Sequence, residues 1–396
     1  MSNTNKVIDM VTREALRVAH EKLSFLGTIN RQYDSSFAQT GAKIGSTLRI
    51  RQPVKFLRRQ GSRVMDVQDA TETTVTATVA TQDGIDIRFN SAELSQDIDD
   101  FSARYIIPAV SHLVSGIEAD VLAAVTKQVY QVAGTAGTPV ADLAAIGAAR
   151  AKLNQSLAPK DGNRFVQMDS VTMGTMTNGL KGLFQDSQQI KEQYREGLVG
   201  RTGMADFYEN ERTWSMTNSA DVAGEINNGT LTSGITALTV DGFSAAPTAG
   251  MSFTVEGIYD VHPETKQAYS HLKQFVVGTG STTTNLVFTP AMIFSTTDPA
   301  QNCSGTPAND NDITFFGSAS TAYRQNLMYH KDAFTFITAD LPIMGDALSC
   351  VRRVQDGLSL RVWQASDIIN DQMLMRIDIL YGYLALRPEW ACRISN

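Results

Sequence analysis

The spacing of apolar residues changes several times along the chain, and each change predicts a different element. Over residues 6–25, Val7, Met10, Val11, Ala15, Leu16, Val18 and Leu23 fall on an imperfect 3.6-residue stripe, which predicts an amphipathic helix. Gly27 to Gly45 is polar and irregular. From Ser46 to Phe56 the period becomes two: Leu48, Ile50, Val54 and Phe56 alternate with Arg49, Arg51, Pro53 and Lys55. The alternation returns between Thr71 and Phe89, through Val75, Ala77, Val79, Ile85, Ile87 and Phe89. Pro53 has no N–H for a ladder and marks an edge. Together the two runs predict a long two-stranded ribbon whose loop, Leu57 to Ala70, carries Arg58, Arg59 and Arg63. Such a ribbon is marginal alone in water, so it must lie on another surface.

A helical period resumes from Pro108 to Tyr130. Val110, Leu113, Val114, Ile117, Val121, Ala124, Val125 and Val129 share one face. A helix of that length spans roughly 34 Å. The acidic residues Glu93, Asp97, Asp99 and Asp100 precede it, and a helix N-terminus favours negative charge. Thr138-Pro139 is expected to cap a helix carrying Leu143, Ile146, Leu153 and Leu157 that stops near Pro159. Phe165–Met168 reads as a short strand and Ser170 as the cap of the next helix, followed by a polar, loop-rich stretch from Phe184 to Gly203.

At about Gly224 the composition shifts to Gly, Thr, Ser, Ala and Asn, and it stays so until Asp312. Short alternating segments at Ile235–Val240, Met251–Val255, Gln274–Val277 and Asn285–Phe288, with turns between them, predict a small all-β module. Mixed character returns afterwards, so the module reads as an insertion. Tyr323 to Met328 is expected as a helix or turn; Ala333–Ile337, Leu358–Trp363 and Met373–Leu386 are expected as strands.

The 396 residues and 42% apolar content fit a globular chain of more than one domain. No run approaches the roughly 18 consecutive apolar residues of a membrane span, and the N-terminus has no apolar signal segment. A cytoplasm-like compartment with no membrane is therefore expected. Cys303, Cys350 and Cys392 are far apart and read as buried free thiols. The net charge of −7 is uneven: residues 1–65 carry 12 Lys and Arg against 4 Asp and Glu, the remainder 22 against 37. A basic arm on an acidic body would bind either nucleic acid or the body of another copy, and the second needs no further partner.

Chemistry is sparse. The five His residues form no H-E-x-x-H or other close ligand pair, and there is no G-x-S-x-G elbow. Gly278 to Thr284 has a phosphate-loop composition but lacks the lysine and the following helix, so it reads as a β-turn. Asp97–Asp100 and Asn309–Asp312 lack the pattern of a calcium loop. The run Arg49 to Arg63 could grip phosphates, yet it has no interleaved aromatics beyond Phe56 for base stacking. No catalytic constellation, metal site or cofactor is expected. A large chain without a site, with a ribbon that needs a support and opposite charges on arm and body, points to an assembly subunit.

Two stretches then carry a family resemblance. One is Phe184…Tyr194-Arg195-Glu196-Gly197…Ala205-Asp206-Phe207; the other is Arg376-Ile377…Tyr381-Gly382…Arg387-Pro388-Glu389. With the order of elements, they resemble the P22-like coat proteins of tailed bacteriophages, which have the HK97-like α+β capsid fold. The resemblance implies an N-arm at 1–40, an E-loop ribbon at 41–92 and a P-domain with its spine helix at 93–134. It implies an A-domain at 135–224 and 313–350, an inserted β-barrel-like domain at 225–312 and P-domain C-terminal strands at 351–396. It further implies a major capsid protein that forms pentamers and hexamers of an icosahedral shell around packaged double-stranded DNA. Its partners would be itself, a scaffolding protein during assembly in the host cytoplasm, a portal protein, a possible decoration protein and DNA by non-specific contact. The expected intersubunit residues are Arg49, Arg51, Lys55, Arg58, Arg59 and Arg63, facing Glu93, Asp97, Asp99 and Asp100. Glu14 and Glu21 are candidates for scaffolding contact, and Arg387 and Glu389 are expected to pair. The alternatives are an encapsulin-type shell, which the inserted module disfavours, a nucleic-acid-binding protein using residues 49–63, and an enzyme.

Overall fold

The computed structural model describes residues 12–17, 19, 23–34, 47–58, 61, 72–90, 105–180, 201–343, 349–355, 357–367, 369–370 and 372–395. The chain divides into two compact units. The first comprises Met1–Ile50, Val75–Val121 and Phe334–Leu384, and the second Arg51–Thr74, Leu122–Ala333 and Ala385–Asn396. The units thus exchange at Phe334 and Ala385, whereas the sequence placed its late boundaries at 313 and 350.

The first unit is built on a six-stranded sheet. Its order is Asn30–Asp34, Phe334–Ala339, Gln372–Ala385, Leu358–Asp367, Ser349–Gln355, with Thr81–Asn90 also paired to Gln372–Ala385. This corrects the expected long ribbon. Only Thr47–Arg51 and Thr74–Thr78 form a two-stranded sheet, and Pro53 lies just beyond it. Thr81–Asn90 instead runs antiparallel to the apolar strand, from Gln372↔Asn90 to Tyr381↔Thr81. Period-two alternation shows that a strand has one buried face but not which strand it pairs with. The segment expected to be irregular also holds order: Phe25–Thr28 is a helical turn, and Asn30–Asp34 pairs in parallel with Phe334–Ala339.

The spine helix runs Ile107–Thr126, and Val110, Leu113, Val114, Ile117, Val121 and Val125 are buried as their spacing predicts. Contrary to the sequence reading, it is long and apolar enough to cross a membrane by length and composition. It also carries Glu118, fully buried, whose carboxylate accepts hydrogen bonds from Ser24 Oγ (2.6 Å), Ser24 N (3.1 Å) and Phe25 N (3.1 Å). A buried carboxylate satisfied in this way caps the Phe25–Thr28 turn and marks a core helix. Residues 12–17 and 19 are helical, with Ala15, Leu16 and Ala19 buried.

The second unit combines a seven-stranded sheet with a closed barrel. The sheet order is Val132–Ala133, Ala391–Ser395, Ala322–His330, Arg164–Met168, Ala205–Glu209, Arg201–Thr202, with Ser215–Thr217 paired to Ala322–His330. Tyr323–Met328 is thus a central strand, not a helix or turn. It is buried on both faces, so it lacks the alternation that identifies a half-exposed strand. The helix Leu143–Gln155 is capped by Asp142, whose Oδ1 accepts from Ala144 N at 2.9 Å, and not by Thr138-Pro139. The helix Ser170–Leu180 is capped one residue earlier than expected: Asp169 accepts from Thr172 N (3.2 Å) and Thr172 Oγ1 (2.5 Å). The barrel closes in the order Ala223–Ile226, Ile235–Asp241, Asn285–Met292, Ala268–Val277, Ser252–Val261, Asp312–Phe315. Gly278 to Thr284 is the turn between two of its strands. The barrel joins the sheet strand through polar contacts. Gln274 accepts from Val132 N (2.9 Å) and donates to Val132 O (3.1 Å), and Ser252 Oγ donates to Tyr130 O at 2.7 Å.

Candidate assembly interface

Of the basic residues expected to meet another subunit, Arg49 and Arg51 lie on the strand Thr47–Arg51, and Lys55 and Arg58 follow it. Arg49, Arg51, Lys55 and Arg58 are all exposed, and Phe56 between them is 62% exposed. Arg51 pairs with the exposed Glu72 at 3.3 Å. Arg49, Lys55 and Arg58 make no ion pair, so among the described residues this cationic row is largely uncompensated. Arg59 and Arg63, and the expected counter-surface Glu93, Asp97, Asp99 and Asp100, lie outside the described residues, as do Tyr194, Arg195, Gly197 and Glu21. Glu14 is already engaged by Arg17 at 3.0 Å.

Asp206 sits on Ala205–Glu209 with Arg201 at 3.5 Å. In the closing motif, Tyr381 is buried, stacks on Phe336 at 5.5 Å and donates its hydroxyl to Asp83 at 2.7 Å. Burial and the Asp83 carboxylate both push its pKa upward, so it remains protonated. At Gly382 a Cβ would run into the Thr78 carbonyl, which makes this glycine a point of close backbone approach. The strand ends at Ala385, and Pro388–Trp390 forms a 3₁₀ turn into a further strand, Ala391–Ser395, which the sequence reading did not separate. Arg387 and Glu389 do not pair with each other as expected. The Arg387 guanidinium lies over the Trp390 ring, 4.2 Å from its centroid, and Glu389 O accepts from Gln131 at 3.1 Å. A planar cation next to an indole has a competing partner that linear spacing does not show.

The sequence reading missed the buried charges. Asp378, fully buried, receives Arg361 at 2.6 Å and Arg376 at 2.9 Å, and Arg376 continues to Asp86 at 3.3 Å. In the barrel, Lys273 Nζ meets Asp260 at 2.8 Å and lies over the Tyr130 ring at 5.1 Å. Burial works against the Asp260 charge, but His271 and Lys273 outweigh it and hold its pKa below the usual carboxylate range. Burial pushes the Cys303 thiol up to about 12 and the Cys392 thiol up to about 11, so neither is a reactive nucleophile. These groups sit in ordinary strand positions and carry no local motif. Among the described residues no group of His, Cys, Asp and Glu is arranged to hold a metal ion.

The model of one family, described as P22 coat protein - gene protein 5, matches residues 1–393. No curated protein sequence matches the chain. Among solved structures, the capsid of Ralstonia phage GP4 aligns with a TM-score of 0.51 at 7% identity, covering 95% of this chain and 91% of that one. A Mycobacterium phage Che8 chain aligns at 0.47 and 11% identity, covering 94% and 90%. The architecture is the HK97-like capsid fold with an inserted all-β domain. The chain belongs to the P22 coat protein family and is a major capsid protein, a structural component of the virion that assembles with copies of itself.

Proposed function

We propose that this coat protein forms pentamers and hexamers of an icosahedral shell that encloses packaged double-stranded DNA. In this reading assembly takes place in the host cytoplasm around a scaffolding protein. A portal protein, a possible decoration protein and non-specific contact with DNA complete its partners. The N-arm, E-loop, P-domain and A-domain divisions given above are part of the same reading, as are the structural roles of Tyr194, Arg195, Gly197 and Asp206.

The observation that carries it is the exposed row Arg49, Arg51, Lys55 and Arg58 beside an exposed Phe56, largely uncompensated among the described residues. Such a row keeps a lone subunit soluble and steers it towards a surface of opposite charge, which also fixes the register of the contact. With Arg59 and Arg63 it meets Glu93, Asp97, Asp99 and Asp100 of an adjacent subunit. One exposed ion pair contributes only about 0–1 kcal/mol, but a closed shell repeats the contact at every subunit. The test is electron microscopy of shells assembled with co-expressed scaffolding protein. Arg58→Glu with Arg59→Glu is expected to leave soluble subunits and no shells; normal shells from that variant would overturn the role of the row.

A further inference from the structure

A second surface is left open on the first unit. Along Thr81–Asn90, Gln372–Ala385 and Leu358–Asp367, the register places Asp86 beside Arg376 and Trp363, and Arg88 beside Leu374 and Ala365. Residues directly opposite on neighbouring strands share a face. The alternate positions, Met375 and Ile377, are buried in the core, so this face is the outer one. These six residues, with Ile87 and Met375 between them along the strands, line an open cleft of about 400 Å³. Its floor is apolar, and Leu374 is 46% exposed there. At its rim Arg376 is already paired with Asp86 and Asp378, while Arg88 is exposed and makes no ion pair among the described residues.

The hairpin that carries this cleft ends in an apolar tip. Ile369 is 88% exposed, the most exposed large apolar side chain among the described residues. In its turn the Asp367 carboxylate accepts from Ile369 N at 2.9 Å and Asn370 Nδ2 at 2.7 Å. Among the described residues, the tip thus presents the Ile369 side chain next to the Asp367 carboxylate. The cleft presents an apolar floor next to Arg88, a positive charge with no ion pair among the described residues.

We propose that, within the shell, the Asp367–Asn370 tip of one subunit seats Ile369 in this cleft of another copy, with Asp367 facing Arg88. The proposal rests on the shell reading above but concerns a different contact. Other exposed large apolar side chains among the described residues include Val171 (71%), Ile343 (58%) and Phe56 (62%), and of these Phe56 stands in the basic row. Arg49, Arg51, Lys55 and Arg58 would bring it against Arg88, like charge on like, whereas the acidic tip brings the opposite charge. Tip and cleft belong to the same hairpin on every copy. In a closed shell the contact is therefore reciprocal about a twofold axis or cyclic, since a head-to-tail contact that did not close would give open filaments.

The experiment uses full-length chains in a Cys350→Ser background, because Cys350 lies opposite Trp363 in the adjoining strand. Ile369→Cys subunits are mixed with Leu374→Cys subunits, assembled into shells and oxidised. A cross-linked dimer is expected from the mixture and not from either variant alone. In a parallel assay without cross-linking, Ile369→Ser is expected to raise the subunit concentration needed for assembly about tenfold. Three results would overturn the contact: shells that form without the mixed cross-link, Ile369→Cys subunits that cross-link to one another, or Leu374→Cys subunits that cross-link instead to Phe56→Cys subunits. If the unmodified chain forms no shells under the same conditions, the shell reading fails and this contact with it.

Discussion

The barrel and the six-stranded sheet are both β structures, yet they close by different means. Every barrel strand comes from one stretch, Ala223 to Phe315. Its centre is a cluster of rings: Phe253 lies 5.6 Å from Phe275, 5.9 Å from Phe288 and 5.6 Å from Phe315. Closure leaves no sheet edge, and aromatic burial supplies the stabilisation. The sheet gathers strands from residues 30–34, 81–90, 334–339 and 349–385, and holds Arg361 and Asp378 inside it. Its pairings join distant parts of the chain and keep an open edge at Ser349–Gln355. A region that closes locally is made by apolar patterning, while one assembled over long range also depends on buried charges that must find each other. Removing one such charge is costly because the other remains buried and unpaired.

The largest effects should separate the two regions. Asp378→Ala strands the buried Arg361 and is expected to cost about 3–5 kcal/mol in denaturant unfolding, with loss of amide protection in the sheet and retention in the barrel. Phe275→Ala leaves a cavity among the barrel rings and should cost a similar 3–5 kcal/mol, with the pattern of protection reversed. If both variants lose protection everywhere, the two regions unfold as one and the contrast fails. Gly382→Ala should cost about 1–3 kcal/mol, because the new methyl meets the Thr78 carbonyl; a neutral result would show that the strand can shift. The smallest effect concerns pH. The folded-state pKa of Asp260 is depressed, so its stabilisation is present above the unfolded-state pKa and is lost as pH falls through the folded value. Asp260→Asn should therefore flatten the acid limb of barrel stability and leave the acid response of the sheet unchanged.

Much of this architecture was legible from periodicity and composition. The spine helix was visible because eight apolar residues repeat at helical spacing on one face. The barrel was visible because its strands are short, alternating and separated by turn residues within one stretch. The family resemblance rested on the order of such elements together with the Tyr381-Gly382 and Arg387-Pro388-Glu389 stretch, and the family match covers the chain. Tyr323–Met328 was misread because a strand buried on both faces has no alternation. The helix cap Asp142 was missed by a few residues and Asp169 by one, since several polar residues near each start can accept from a free N–H.

The sequence by itself determined that the spine is helical and the inserted module extended, where that module lies, and that a basic row stands near the N-terminal end of an acidic chain. Those are properties of side-chain periodicity and charge, which are local. Only the tertiary structure decided that Thr81–Asn90 leaves the ribbon for Gln372–Ala385, that Asp378 gathers Arg361 and Arg376, and that Arg387 stacks on Trp390 rather than pairing with Glu389. Each of those choices selects one partner among several with similar local patterns. The selection depends on which arrangement buries apolar faces while leaving no charge unpaired, a condition set by the whole fold and not by neighbouring residues.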